Sequence, residues 1–296
     1  MEKVHLAVIG GSGLYELSNV KIVEEKNIST PFGKPSDKIT IGRAGDSLVA
    51  FLPRHGKGHR ILPGEVPVKA NIYALKTLGV EKVISVSAVG SLKEEIRPTD
   101  IVLPSQIIDK TKNRELSYFG GGIAGHISFA DPFCLGLKAQ IRDIILKYFS
   151  ANKSSKKLFT EETYVCMEGP QFSTRAESNL HRSWGAGVIG MTAIPEAKLA
   201  REAEMCYVTI ALATDYDCWK EGEEGVGISM VLEYMKENNK TINEILPQIL
   251  ESLTLDGPDG CSCGSAAKYA VMTSMDMMPP KVKKNLSLFY NKYWKD

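Results

Sequence analysis

The chain has 296 residues, 43% of them hydrophobic and 24% charged, and its 36 basic and 35 acidic side chains leave a formal net charge of +1. This composition is that of an ordinary globular protein, and it does not favour binding to nucleic acid or to an anionic membrane. The apolar runs fall short of the roughly 18 residues that a membrane-spanning helix needs. Since no secretory signal precedes the first apolar segment, we expect a cytoplasmic enzyme or binding protein, with the nucleus as a second location.

Short apolar segments alternate with amphipathic ones along the chain, which predicts an α/β fold. Strands are predicted at 4–9, 38–41, 47–52, 83–89, 101–104, 106–108, 162–166, 188–192 and 208–217, and helices at 69–78, 132–148, 173–184, 196–204 and 226–249. We expect one domain over 1–296, with a central mixed, largely parallel twisted sheet flanked by helices. Residues 281–296 form a C-terminal extension without an assigned role.

The segment 208–217 is the most informative strand. It is apolar on both faces, as in the interior of a parallel sheet, and it ends in Asp215 and Asp217,. Since side chains alternate along a strand, the two carboxylates are expected on one side, beyond the carboxyl end where α/β proteins bind ligands. The alternative is that they cap a helix following Trp219.

Two glycine-rich loops follow other predicted strands. Gly10-Gly11-Ser12-Gly13 offers backbone amides to an anion, but taken alone the stretch favours a plain tight turn over a phosphate loop,. The stretch 54–60 reads Arg-His-Gly-Lys-Gly-His-Arg and favours an oxyanion site over a solvated basic loop, because an arginine fork and histidines supply donors,.

The six cysteines are scattered and form no CxxC pair, so neither a zinc site nor a disulfide framework is predicted,. Cys166, Cys206 and Cys218 are interpreted as packing residues. Cys261-Ser262-Cys263 is interpreted as a reduced loop, with a redox role as the alternative. No HExxH or Walker motif occurs in the sequence, so we expect no metal. Oxyanion donors beside a carboxylate pair suit phosphorolysis of a C–N bond.

Seven segments, in order, resemble the purine nucleoside phosphorylase superfamily, and within it the group that acts on 5′-methylthioadenosine. They are 10–14 (GGSGL), 30–37 (TPFGKPSD), 54–56 (RHG), 88–92 (AVGSL), 168–173 (EGPQFS), 191–192 (MT) and 214–219 (TDYDCW). The resemblance implies the phosphorylase fold, a homotrimer, and phosphorolysis of S-methyl-5′-thioadenosine to adenine and 5-methylthioribose 1-phosphate. It implies inorganic phosphate as a co-substrate without metal or another cofactor, and no nucleic-acid or membrane partner.

The resemblance also assigns roles to individual residues. It implies phosphate binding by Ser12, Arg54, His55, His59, Ser87, Ala88 and Thr192, ribose contact by Met191, and purine contact by Phe172, Ser173, Asp215 and Asp217. The pocket for the 5′ substituent is expected to include Ile228, Val231 and Met277, together with His126 from a neighbouring subunit. Asp215 is the expected catalytic residue, assisting purine N7.

Adenine is the expected base. Related phosphorylases of 6-oxopurines carry glutamate at the position of Ser173 and asparagine at that of Asp215, and a glutamate would face the N1 lone pair of adenine, a mismatch of about 1–3 kcal/mol. The family commonly has threonine where Ser12 and Ser87 stand, so phosphate affinity is open to change. The alternatives are a purine nucleoside phosphorylase acting on adenosine or inosine, and a non-catalytic Rossmann-type nucleotide-binding protein.

Overall fold

The structure is a computed structural model that describes residues 3–11, 20–220, 228–253 and 261–294, without the side chains of 228–230. Its strands are β1 (Leu6–Gly10), β2 (Lys21–Lys26), β3 (Ile39–Ala44), β4 (Ser47–Pro53), β5 (Lys82–Ser91), β6 (Ile101–Val102), β7 (Gln106–Lys110), β8 (Leu158–Phe159), β9 (Thr163–Met167), β10 (Val188–Gly190) and β11 (Cys206–Asp215). Its α-helices are α1 (Val68–Thr77), α2 (Leu135–Ala151), α3 (Arg175–Ser183), α4 (Ala193–Glu202), α5 (Ile228–Ser252) and α6 (Pro280–Tyr290).

The strands of the described ranges form one mixed sheet, in the order β2-β3-β4-β1-β5-β10-β9-β7. β11 pairs with β5 in parallel along most of its length and also pairs with β6, which in turn pairs with β8. The pairings of β1 with β4 and β5, and of β9 with β7 and β10, are parallel. The predicted α/β fold with a largely parallel sheet is therefore confirmed.

Helices cover both faces of β11, which is why its ten residues are all buried. Tyr207, Ala211 and Ala213 join a core cluster that contains residues of α1, α4 and α6. Val208 and Ile210 alternate with them and join a second cluster with residues of α2 and α5. Alternate side chains of β11 therefore pack into two hydrophobic layers, one on each face of the sheet.

The predicted strands and helices correspond to observed elements, with ends that differ by a few residues. Two strands were not predicted. β8 has only two residues. β2 is an exposed edge strand of sequence KIVEEK, and its charged residues break the apolar pattern by which a strand is recognised. The C-terminal helix α6 also escaped prediction. It belongs to the core, since Leu286, Phe289 and Tyr290 are buried, so this stretch has a packing role. The domain limits themselves, with an extension starting at 281, stay a prediction.

Within the described ranges, no helix combines the length and apolar character needed to cross a bilayer.

Candidate active site

A cavity of about 590 Å³ lies at the carboxyl ends of the central strands, where the sequence predicted the ligand site. Arg54 follows β4, Met191 follows β10, and Asp215 ends β11. In the sheet β5 pairs with both β10 and β11, and β1 separates it from β4, and all three residues line the one cavity. Eleven of the predicted site residues line the cavity: Arg54, His55, His59, Ser87, Ala88, Phe172, Met191, Thr192, Asp215, Asp217 and Val231.

The other predicted residues do not line this cavity in the described part of the chain. Ser12 and the side chain of Ile228 lie outside the described residues, although Gly11, just before Ser12, does line it. Ser173 lies one step away, with its Oγ 3.9 Å from Sδ of the lining residue Met167. Met277 and His126 are exposed to solvent in the single chain. The placement of His126 in a neighbouring subunit's site stays a prediction.

Four buried polar atoms of the cavity residues have no hydrogen-bond partner within the described ranges: Ser87 Oγ, Thr192 Oγ1, Asp217 Oδ2 and Asn238 Oδ1. Buried polar groups in native proteins are nearly always hydrogen-bonded, so orphaned groups that share one cavity indicate a polar ligand. Two of them are hydroxyls able to donate to an oxyanion, and the Asp217 carboxylate and Asn238 amide oxygens are able to accept from an amino group.

Arg54 is 2% exposed, and the protein itself uses much of its hydrogen-bonding capacity. Its Nε donates to Glu196 Oε1 at 2.5 Å, its Nη2 to Ser85 Oγ at 2.6 Å, and its Nη1 to the Val86 carbonyl at 3.0 Å. The guanidinium therefore fixes the end of β4 against β5 and α4. Its predicted phosphate contact stays a prediction.

Glu196 is a site residue that the sequence analysis did not predict. It occupies the first turn of α4, where a carboxylate usually faces water, yet it is 1% exposed and also accepts from Tyr207 Oη at 3.0 Å. Only the three-dimensional arrangement shows that it is the counter-ion of Arg54.

His55 is buried beside this ion pair and stacks on His59, with ring centroids 4.4 Å apart. Burial, and after it the positive charge of Arg54, lower the pKa of His55 from 6.5 to about 4. The ring is therefore neutral at neutral pH. Its Nδ1 lies 2.8 Å from the Ile61 carbonyl, which assigns the proton to Nδ1 and leaves Nε2 as an acceptor,.

Asp215 and Asp217 reach the cavity by a route that the sequence did not predict. β11 ends at Asp215, and Asp217 has a φ of +49°, so strand alternation does not extend to it. Instead the chain turns back: the Asp217 N–H donates to Asp215 Oδ1 at 2.8 Å, and the Thr214 hydroxyl donates to Oδ2 at 2.7 Å. The helix-capping alternative lacks support in the described part of the chain, where residues 217–219 form a turn and the next helix is α5.

Gly90 on β5 permits this arrangement. A Cβ atom at Gly90 would lie 2.8 Å from Asp215 Oδ1 and 3.4 Å from the Asp217 Cβ. A side chain at this position would therefore displace the carboxylate pair, so the glycine is required by close approach.

Phe172 and Ser173 stand at the entrance to α3, whose start is fixed by a capping box. The Thr174 Oγ1 accepts from the Glu177 N–H at 3.2 Å, and Glu177 Oε2 accepts from the Thr174 N–H at 2.8 Å,. Phe172 is 47% exposed at the cavity. A large ring left open beside a carboxylate pair offers a face for a planar ligand to stack on.

Comparison with known proteins identifies the family. The model of the phosphorylase superfamily matches residues 5–251. A protein of Geobacter sulfurreducens named S-methyl-5′-thioadenosine phosphorylase is 48% identical, over 99% of this chain and 100% of the relative.

Solved structures agree with the family match. A methylthioadenosine phosphorylase from an Antarctic soil metagenomic library is 43% identical, with a TM-score of 0.89 over 98% of this chain and 99% of that one. A variant of the adenosine/methylthioadenosine phosphorylase of Schistosoma mansoni, solved in complex with methylthioadenosine, is 36% identical, with a TM-score of 0.78 over 84% and 91% of the two chains. The resemblance inferred from the motifs is thereby confirmed, and the chain belongs to the phosphorylase superfamily.

Proposed function

We propose that the protein is a pentosyltransferase that catalyses phosphorolysis of S-methyl-5′-thioadenosine, releasing adenine and 5-methylthioribose 1-phosphate. The observation that carries the proposal is the cavity in which unpartnered Ser87 and Thr192 hydroxyls occur together with a pair of buried carboxylates. The full-length similarity to proteins named for this activity supports it. Inorganic phosphate is the co-substrate, and we assign neither a metal nor an organic cofactor to this cavity.

Phosphate binds, in this proposal, where β1, β4, β5 and β10 end. The Ser87 and Thr192 hydroxyls donate to its oxygens, and the Ala88 backbone, Arg54, His59 and Ser12 complete the site. Neutral His55 presents an acceptor nitrogen, which matches the P–OH group of monohydrogen phosphate,. The hydroxyl pair therefore binds charged oxygens while His55 accepts the remaining proton.

The purine lies against Phe172 and Met191, with its edge toward Asp215 and Asp217. The buried, unpartnered Oδ2 of Asp217 accepts from the 6-amino group of adenine. A 6-oxopurine would bring an acceptor to this acceptor, so it is disfavoured by about 1–3 kcal/mol. Ser173, which is one step removed, reaches N1 through water.

In the reaction, the C1′–N9 bond breaks and its electron pair moves into the purine, giving C1′ oxocarbenium character. A phosphate oxygen bound below the sugar then forms the new bond to C1′. Protonated Asp215 donates to N7 and neutralises the leaving base, a general-acid effect worth roughly 10²- to 10⁴-fold in rate. Thr214 and the Asp217 N–H hold the Asp215 carboxyl in place.

The 5′ substituent faces apolar side chains. This side of the cavity is lined by Val231, Leu232 and Met235 of α5. We assign Ile228 and Met277 of the same chain to this pocket, together with His126 from a neighbouring subunit. Such a pocket favours a methylthio group over a hydroxyl. The proposal therefore includes a homotrimer in which one chain completes the site of the next, and a cytoplasmic or nuclear location.

The test is phosphate-dependent release of free base, followed by absorbance, from methylthioadenosine, adenosine and inosine in parallel. We expect the highest kcat/KM with methylthioadenosine and no release without phosphate. A preference for adenosine would favour the second candidate, which the similarity to an adenosine/methylthioadenosine phosphorylase supports. A preference for inosine would refute the assignment of the base, and nucleoside binding without any release would indicate a non-catalytic protein.

A further inference from the structure

Four cysteines from three distant segments meet near the amino end of β11, opposite to the end that carries Asp215. Cys134 directly precedes α2, Cys206 begins β11, and Cys261 and Cys263 lie in the segment that follows α5. Their Sγ atoms all lie within 4.8 Å of one another. These four residues, which we call the cysteine cluster, are scattered along the sequence but close together in space.

The spacing of the sulfur atoms fits a tetrahedron. Cys261 Sγ lies 3.5 Å from Cys134 Sγ and 3.4 Å from Cys206 Sγ. Four thiolates at the zinc–sulfur distance of about 2.3 Å stand about 3.8 Å apart along each edge. These two separations lie slightly below that value and all the others are within 4.8 Å, so a metal ion fits at the centre with small side-chain movements.

A backbone donor, a guanidinium and a helix N-terminus lie beside the sulfur atoms. The Cys263 N–H points to Cys261 Sγ at 3.4 Å, and Arg201 Nη1 lies 3.5 Å from Cys263 Sγ. Cys134 stands at the N-terminus of α2, where the helix dipole favours negative charge,. A guanidinium and a helix terminus thus balance part of the charge of a metal tetrathiolate.

The cluster also has a path for a ligand to enter. A cavity of about 450 Å³, separate from the catalytic one, is lined by Cys134, Cys261 and Cys263 together with Arg201 and Asp131. An ion can therefore reach the sulfur atoms without unfolding of the surrounding elements.

We propose that Cys134, Cys206, Cys261 and Cys263 bind one Zn²⁺ ion in a closed, structural site. Thiolate sulfurs in a tetrahedral set select zinc over harder ions, and four protein ligands leave no open position for substrate. Binding releases the thiol protons and joins α2, β11 and the C-terminal segment. The site lies about 30 Å from the carboxylate pair, since the two are at opposite ends of the ten-residue β11,.

Two disulfide bonds among the same four residues are the competing arrangement, and metal content with a thiol count separates the two. The protein, purified without chelator, is analysed by inductively coupled plasma mass spectrometry, and its thiols are counted after denaturation without reductant. Zinc binding predicts about one zinc per chain and six titratable thiols, because all six cysteines stay reduced. Absence of zinc, iron in its place, or loss of four thiols to disulfides would each overturn the proposal.

Variants locate the ion. Cys261→Ser combined with Cys263→Ser is expected to lose the zinc and to lower the Tm, whereas the matched control Cys218→Ser, outside the cluster, keeps the zinc. Equal zinc in both variants would refute the assignment of the ligands.

A measurement on the unaltered protein covers the case in which the double variant fails to fold. Replacing zinc by Co²⁺ in the wild-type chain should give the strong visible absorption of a tetrahedral tetrathiolate, and a mercurial thiol reagent should release the metal. The weak spectrum of octahedral Co²⁺ would contradict the site. The Tm should fall with a strong chelator and stay constant with a thiol reductant, whereas stabilising disulfides would give the reverse.

Discussion

The two ends of β11 carry two kinds of polar cluster. At its carboxyl end, Asp215 lies in a cavity where Asp217 Oδ2, Ser87 Oγ and Thr192 Oγ1 have no partner in the described part of the protein. At its amino end, the sulfur atoms of Cys206 and the rest of the cysteine cluster are within reach of one another. The carboxyl end has free hydrogen-bonding groups for a substrate that binds and is released. The amino end has four sulfur atoms arranged around one point, as for a permanently bound ion.

This difference predicts how the ends respond to change. Substitutions at the carboxyl end are expected to act on turnover and on substrate binding, with modest effects on stability where no buried charge is left behind. Substitutions in the cysteine cluster are expected to act on stability and metal content. A variant that breaks this division would show that the two sites are coupled through the strand.

The largest effect is expected for Asp215→Asn. The amide keeps the size of the side chain but cannot donate a proton to N7 as an acid, so kcat should fall roughly 10²- to 10⁴-fold with little change in Tm. Steady-state kinetics with methylthioadenosine and thermal unfolding measure the two quantities. Asp46→Asn, at an exposed turn between β3 and β4, is the matched control. Near-normal turnover in Asp215→Asn would exclude the catalytic role.

Arg54→Met is the exception at this end, because it leaves Glu196 buried without its counter-ion. Removing one partner of a buried pair typically costs about 3–5 kcal/mol of unfolding free energy. The double variant Arg54→Met/Glu196→Met should recover most of that stability while phosphate binding stays impaired. Urea denaturation and the KM for phosphate separate the two roles of Arg54. A fully stable single variant would contradict the structural role.

Ser87→Ala and Thr192→Val each remove one unpartnered hydroxyl. A hydrogen bond to a charged group is worth about 1.5–3 kcal/mol, so we expect the KM for phosphate to rise roughly 10- to 100-fold. Stability should hold or increase slightly, because a buried polar atom without a protein partner is lost. Ser91→Ala is the contrasting variant, since Ser91 Oγ already donates to the Lys93 carbonyl at 2.7 Å and its loss should cost stability. An unchanged KM in both hydroxyl variants would place phosphate elsewhere.

The sequence predicted the carboxyl end of β11 far better than the amino end. A strand buried on both faces can be recognised in the sequence by its unbroken apolar run. The residues that follow such strands lie close together, because the carboxyl ends of parallel strands meet at one edge of the sheet. The catalytic loops could therefore be located from local patterns. The turn that carries Asp217 could not, because a positive φ at a non-glycine residue has no local signal,.

The cysteine cluster was missed for a different reason. Its members come from positions 134, 206, 261 and 263, and no spacing rule relates residues that only the packing of α2, β11 and the C-terminal segment brings together,. The same holds for Glu196, whose partner Arg54 is 142 positions away. Partners that are far apart in the sequence therefore cannot be predicted from local sequence patterns.

The smallest expected effect concerns His55 and the pH dependence of stability. Its pKa is about 4 in the folded protein, against an ordinary value of 6.5, so folding favours the neutral ring. The stability is full above pH 6.5 and is lost as the pH falls toward 4, because only the unfolded chain gains the proton. By pH 5 the loss amounts to about 2 kcal/mol.

His55→Gln should remove this part of the pH dependence, and the exposed His126→Gln should not. Urea unfolding between pH 7 and 5 measures the slope for each variant. Saturating phosphate sharpens the experiment: an anion beside His55 favours the imidazolium, raises its pKa and flattens the wild-type curve, whereas His55→Gln should show no such flattening. Equal slopes for wild type and His55→Gln would mean that His55 is not the group that titrates. The cysteine cluster and the carboxylates are unchanged in both variants. Any dependence of the unfolding free energy on pH that persists in His55→Gln is therefore assigned to those groups.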